Sequence, residues 1–237
     1  MTADRLGSPR RQARWAALLY LVTWITSVAA VPLYGGSAFD AAARLAGRSS
    51  VLTASLLEVV LAVAVVGTSL LLYPLLRPYG TSAAIGYVAL RTLEATVILI
   101  GVVAILPAVA RPASTANPAL DPGVVAGLHL LHDWTFLVGP GLINPVNASV
   151  LAVLLWRRRL VPRFIPALGL VGAILVAGMN LSVMFGLGGV QPVLAMPLFA
   201  WEICLAVQLV RRGIPTPQPA RPAQPATDSR IIIPDSA

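Results

Sequence analysis

The sequence predicts an all-α fold: a polytopic transmembrane helical bundle of six spans with both termini in the cytoplasm. Three observations carry that reading. Of 237 residues, 57 % are hydrophobic and only 11 % are charged, whereas a soluble domain carries about 25 % charged residues. Six apolar runs are long enough to cross a hydrocarbon core about 30 Å thick, which takes about 20 helical residues. The basic residues are also distributed unevenly between the two ends of those runs. The composition excludes a soluble enzyme, a nucleic-acid-binding domain and a disordered chain. The net charge of +8 is dispersed along the chain and forms no basic module.

The first run, 15–34, follows the basic segment 1–14 with Arg5, Arg10, Arg11 and Arg14. It is longer than the apolar core of a signal peptide, and Arg10-Arg11 lacks the apolar residues that follow a twin-arginine signal, so it is read as a retained span. Runs 51–76 and 83–109 are joined by the short connection 77–82. The fourth run, 134–156, contains Gly139-Pro140-Gly141 and Pro145. Each proline removes a backbone hydrogen bond, so a kinked helix packed inside the bundle is expected here. Runs 164–186 and 192–211 complete the set. Residues 212–237 hold six of the prolines and read as a disordered cytoplasmic tail. No segment outside the spans can build a core, so the chain is one domain.

All 17 basic residues are arginine. Thirteen fall on one side of the predicted spans, three (Arg44, Arg48 and Arg111) on the other, and Arg91 lies within a span. Cytoplasmic loops are enriched in Arg and Lys, so the thirteen mark the cytoplasmic face of a cell membrane. Connections 35–50 and 110–133 are then the larger outer loops. Arginines beside the bilayer attract anionic lipid headgroups. Lipid is therefore the expected partner, with no nucleic acid. The single cysteine, Cys204, cannot form an internal disulfide and reads as a buried, inert thiol.

Charged side chains inside a bilayer cost about 2.5–3.5 kcal/mol each even on insertion scales, so those present need partners or a cavity. Glu58 in span two, Arg91 and Glu94 in span three, Asn147 in span four and Glu202 in span six form the expected intramembrane cluster. Arg91 and Glu94 are three residues apart and share a helical face. With three carboxylates and one arginine, at least one carboxylate is left over. Such a group either pins helices together or serves a solute or proton pathway. His132, Asp133 and Trp134 form a second expected cluster at the outer interface. His129, His132 and Asp133 lie on one helical face and offer up to three ligands for a metal such as zinc or iron. The alternative is an interfacial cluster anchored by Trp134. No cofactor is expected. A phosphate-binding loop, a G-x-S-x-G elbow, an H-E-x-x-H helix and a C-x-x-C pair are all missing from the sequence.

The chain also resembles a bacterial integral membrane family catalogued as domain of unknown function 4386. The resemblance spans about residues 12–213. It rests on Tyr73-Pro74-Leu75-Leu76, on Arg91-x-x-Glu94 and on His132-Asp133-Trp134-Thr135-Phe136. Gly139-Pro140-Gly141, Asn147 and Leu160-Val161-Pro162-Arg163 with Leu168-Gly169-Leu170 continue it, and Pro197 and Trp201-Glu202 close it. His129 is a weaker part of that pattern. The resemblance implies a multi-helix membrane protein and assigns no activity. The sequence therefore leaves three expectations: a non-enzymatic bundle that binds or passes a small solute or proton, a metal-dependent membrane enzyme using His132 and Asp133, and a regulatory or structural subunit.

Overall fold

A computed structural model describes residues 8–34, 44–109 and 120–215. Residues 1–7, parts of both outer connections and the proline-rich stretch 216–237, expected to be disordered, lie outside the described residues. Among the described residues, seven α-helices follow one another: α1 (Pro9–Ala30), α2 (Arg44–Leu76), α3 (Thr81–Val109), α4 (Pro122–Val138), α5 (Asn144–Arg157), α6 (Phe164–Met184) and α7 (Met196–Arg211). No strand occurs among the described residues. A π-helical turn, Gly139–Ile143, joins α4 to α5, so the two form a single span. Among the described residues, six helical segments are long and apolar enough to cross a membrane.

The two short connections fall where the sequence places them. A single turn, Arg77–Tyr79, separates α2 from α3, and α6 begins at Phe164 directly after the second connection. That second turn is closed by Arg159, whose φ of 52° lies in the left-handed region. The outer ends differ from the expectation. Helix α2 begins at Arg44, so Arg44 and Arg48 belong to the helix and not to a loop. Arg48 reaches across to α3, its Nε donating to the Val109 carbonyl at 2.8 Å. The fourth span begins at Pro122, well before the apolar run that starts at residue 134, with Asp121 capping it by accepting from the Gly123 N–H at 2.7 Å. Hydropathy ends that run at His129, His132 and Asp133. The helix continues through them because the most polar of these positions on its inner face finds a partner.

The six spans close into a ring. Each packs on its neighbour in sequence, and α7 returns against α1. The main apolar core occupies the end of the bundle where α1 starts. There Ala13, Ala16, Ala17 and Tyr20 present one face of α1 to Leu72, Leu76, Leu151, Leu155, Leu205 and Leu209. Apolar residues such as Val63, Val103 and Ile174 point outward, as they should where the solvent is lipid. Lipid tails are as apolar as leucine, so association between such helices depends on close packing and polar contacts. Close packing is clearest between α6 and α7. The Trp201 ring lies over Gly169, and the Leu198 backbone lies against Gly172. Cys204 is free and half-buried, more open than the sequence suggested.

Candidate functional site

The polar residues of the spans sort into two groups, and the division differs from the expected one. The first is built around Arg91. Its Nη1 donates to Glu94 Oε2 at 3.1 Å along one helical face of α3. The same Glu94 oxygen accepts from Asn147 Nδ2 at 2.5 Å, which ties α3 to α5. The guanidinium sits beside the Tyr20 and Tyr87 rings, 5.6 Å and 5.8 Å from their centroids. The two phenol oxygens are hydrogen-bonded to each other at 2.7 Å, which brings in α1. Arg91, Glu94, Tyr20, Tyr87 and Asn147 are all buried. A guanidinium that is always charged has thus been given a carboxylate and two aromatic faces in place of water. This group pins three spans together.

The second group corrects the assignment of Glu58. Glu58 is not part of the arginine cluster: both of its carboxylate oxygens lie 3.1 Å from Nε2 of His132, across from α2 to α4. His132 is correspondingly buried within the bundle, at 3 % exposure. Its ring lies between Tyr34 and Phe136, with centroids 4.4 Å and 5.3 Å away. Tyr34 is in turn within hydrogen-bonding distance of Ser55, at 3.3 Å. The position is possible because Gly101 on α3 leaves room for the imidazole edge and for Thr135. The remaining ring nitrogen, Nδ1, is buried and has no hydrogen bond; the nearest carboxylate oxygen, on Asp133, is 3.7 Å away.

His129, Asp133 and Trp134 are more exposed than His132. His129 Nε2 is 3.8 Å from Asp133, whose side chain is largely exposed, and Trp134 is exposed. The three candidate metal ligands are not gathered on one point, because His132 turns its Nε2 inward to Glu58. Among the described residues, no three His, Cys, Asp or Glu side chains are placed to hold one metal ion.

Between the two groups, toward the end of the bundle where α1 finishes and α4 starts, lies a cavity of about 670 Å³. Val31, Val176, Val183, Leu198 and Phe199 form apolar walls, and Glu58, His132, Asn144, Asn180 and Glu202 supply polar points. Asn180 packs over Gly141 and donates from Nδ2 to the Val176 carbonyl at 2.8 Å. Glu202 is nine-tenths buried and lies within electrostatic range of Arg91 and Glu94. It makes no hydrogen bond among the described residues. Glu58 and Glu202 both line this cavity, while Arg91, Glu94 and Asn147 lie outside its lining. The sequence reading missed Tyr20, Tyr34 and Tyr87. A tyrosine in an apolar run looks like core, and only its pairing across helices reveals its polar end.

A family model described as Domain of unknown function (DUF4386) matches residues 15–213, which is most of the chain and all six spans apart from the start of α1. No curated protein and no solved structure matches.

Proposed function

The chain belongs to the DUF4386 family, whose description assigns no activity, and from that premise we propose that it is a membrane protein that binds a small amphipathic solute in the cavity between its spans. The observation that carries the reading is the cavity itself. Binding pockets are concave and mostly apolar with a few converging polar groups, and this one sets Glu58, His132, Asn180 and Glu202 into apolar walls. By the arginine count, both termini face the cytoplasm and the cavity opens toward the outside.

A solute that binds only the folded protein stabilises it, by about 2.7 kcal/mol at a hundred times its Kd. The test is thermal denaturation in lipid nanodiscs across a panel of amphipathic solutes, repeated with Val183→Trp, which fills the cavity from α6. At least one solute should raise the midpoint in the native chain and not in the variant. Equal shifts in both, or no shift with any solute, would refute the reading. On the opposite face, Arg157 and Arg158 border an apolar groove lined by Gly80, Ala83, Val150, Val153 and Leu154. That charge pattern supports anionic lipid headgroups as the cytoplasmic-side partner.

A further inference from the structure

The lining of the cavity also carries a charge signature, and the identity it gives the solute rests on the solute-binding function proposed for that cavity. Four aromatic rings line the space, from Tyr34, Trp134, Phe136 and Phe199. Three carboxylates line it as well, from Glu58, Asp133 and Glu202, against a single imidazole and no arginine. The imidazole of His132 is already engaged with both oxygens of Glu58. Asp133 faces the rings of His129 and His132 at 3.8 Å and 3.7 Å. Glu202 is the group left over. It is nine-tenths buried, borders the cavity and makes no hydrogen bond among the described residues, and the nearby Arg91 spends its Nη1 on Glu94.

We propose that the cavity is a site for an organic monocation with an apolar body, its cationic centre set against Glu202 and its body against the aromatic walls. A buried carboxylate needs an opposite charge or donors, and aromatic faces attract cations. An anion of the same size would meet three carboxylates in the lining. A neutral molecule without a hydrogen-bond donor would leave Glu202 without a partner.

The test uses the full chain in nanodiscs and three probes of nearly equal shape: tetraphenylphosphonium, tetraphenylborate and neutral tetraphenylsilane, each corrected for uptake by empty discs. Phosphonium should bind saturably at one site and at least tenfold more tightly than either other probe. Glu202→Gln should weaken phosphonium at least tenfold, while Glu202→Asp should keep most of the affinity. If Glu202→Gln does not fold, the three-probe comparison on the native chain still decides the matter. Equal binding of phosphonium and silane, lost in Val183→Trp, would overturn the cation assignment and leave the cavity reading standing. Saturable binding of none of the three would overturn both.

Discussion

A methyl group added at Gly172 tests the close packing of α6 on α7. In Gly172→Ala that carbon would sit 2.7 Å from Leu198 Cα and 2.9 Å from its Cβ, and closer still to the Leu198 backbone nitrogen. Ordinary contacts of this kind begin at 3.4 Å, so α7 must move by more than 0.7 Å, the difference between 3.4 and 2.7 for Cα, because the backbone nitrogen is closer still. The obstacle is backbone, which cannot rotate aside. Overpacking of this kind costs about 1–3 kcal/mol. The same helix supplies its own control, because a methyl group at Gly178 meets nothing within 4 Å. Both substitutions remove a glycine from a helix interior, each gaining about 0.5–1 kcal/mol in helix stability, and that gain cancels in the comparison. The two variants should therefore differ by about 2 kcal/mol, or about 4–8 °C in midpoint for a chain of this size. The assay is tryptophan fluorescence during heating in detergent, at one fixed scan rate because unfolding of such proteins is often irreversible. A Gly172→Ala midpoint equal to or above that of Gly178→Ala would refute the account of the α6–α7 contact.

Further outcomes are expected from the two polar groups and from the arginines. His132→Leu leaves the Glu58 carboxylate buried without its partner and should cost about 3–5 kcal/mol, whereas Glu58→Leu with His132→Leu should recover most of that loss; strictly additive losses in a double-mutant cycle would contradict the pairing. Asn147→Leu removes one of the two donors to Glu94 and should destabilise by about 1–3 kcal/mol, read as a lower midpoint that Glu94→Gln in the same chain does not deepen by its full separate effect. In a chain with Cys204→Ser, a cysteine introduced at Gly123 should react with an impermeant reagent from outside intact cells, and one at Arg158 only after permeabilisation; the reverse pattern would invert the proposed orientation. Arg157→Gln with Arg158→Gln should reduce the anionic phospholipid that survives purification with the protein, as measured by mass spectrometry.

How far the sequence reaches depends on whether a feature is one-dimensional. The spans are visible because each is a run of apolar residues of fixed minimum length. The contact between Arg91 and Glu94 is visible too, since a spacing of three on a helix is itself a distance. The pairing of Glu58 with His132 is not, because it depends on how α2 and α4 are rotated toward each other. Grouping by charge alone puts Glu58 with Arg91, and grouping by hydropathy alone puts His132 at the interface. The start of the fourth span is hidden for the same reason. Hydropathy counts His132 as a reason to leave the membrane, whereas a histidine matched by a buried carboxylate is a reason to stay. The cavity is less legible still, as its lining comes from five of the six spans and no single stretch of chain carries its signature.

The π-helical turn at Gly139–Ile143 has a consequence for the length of the chain there. In it the Asn144 N–H reaches back five residues to the Gly139 carbonyl, which lets a helix with prolines at 140 and 145 continue without a break. It also sets the angular phase between the two halves of the span, so that His132 above faces Glu58 while Asn147 below faces Glu94. A helix advances about 100° for each residue. Losing or gaining one residue between 139 and 143 would swing everything below by about that angle and carry Asn147 off Glu94. Loops tolerate a change of one residue; this turn, although it departs from the regular helix, has a length that is fixed as strictly as a gear is fixed by its count of teeth.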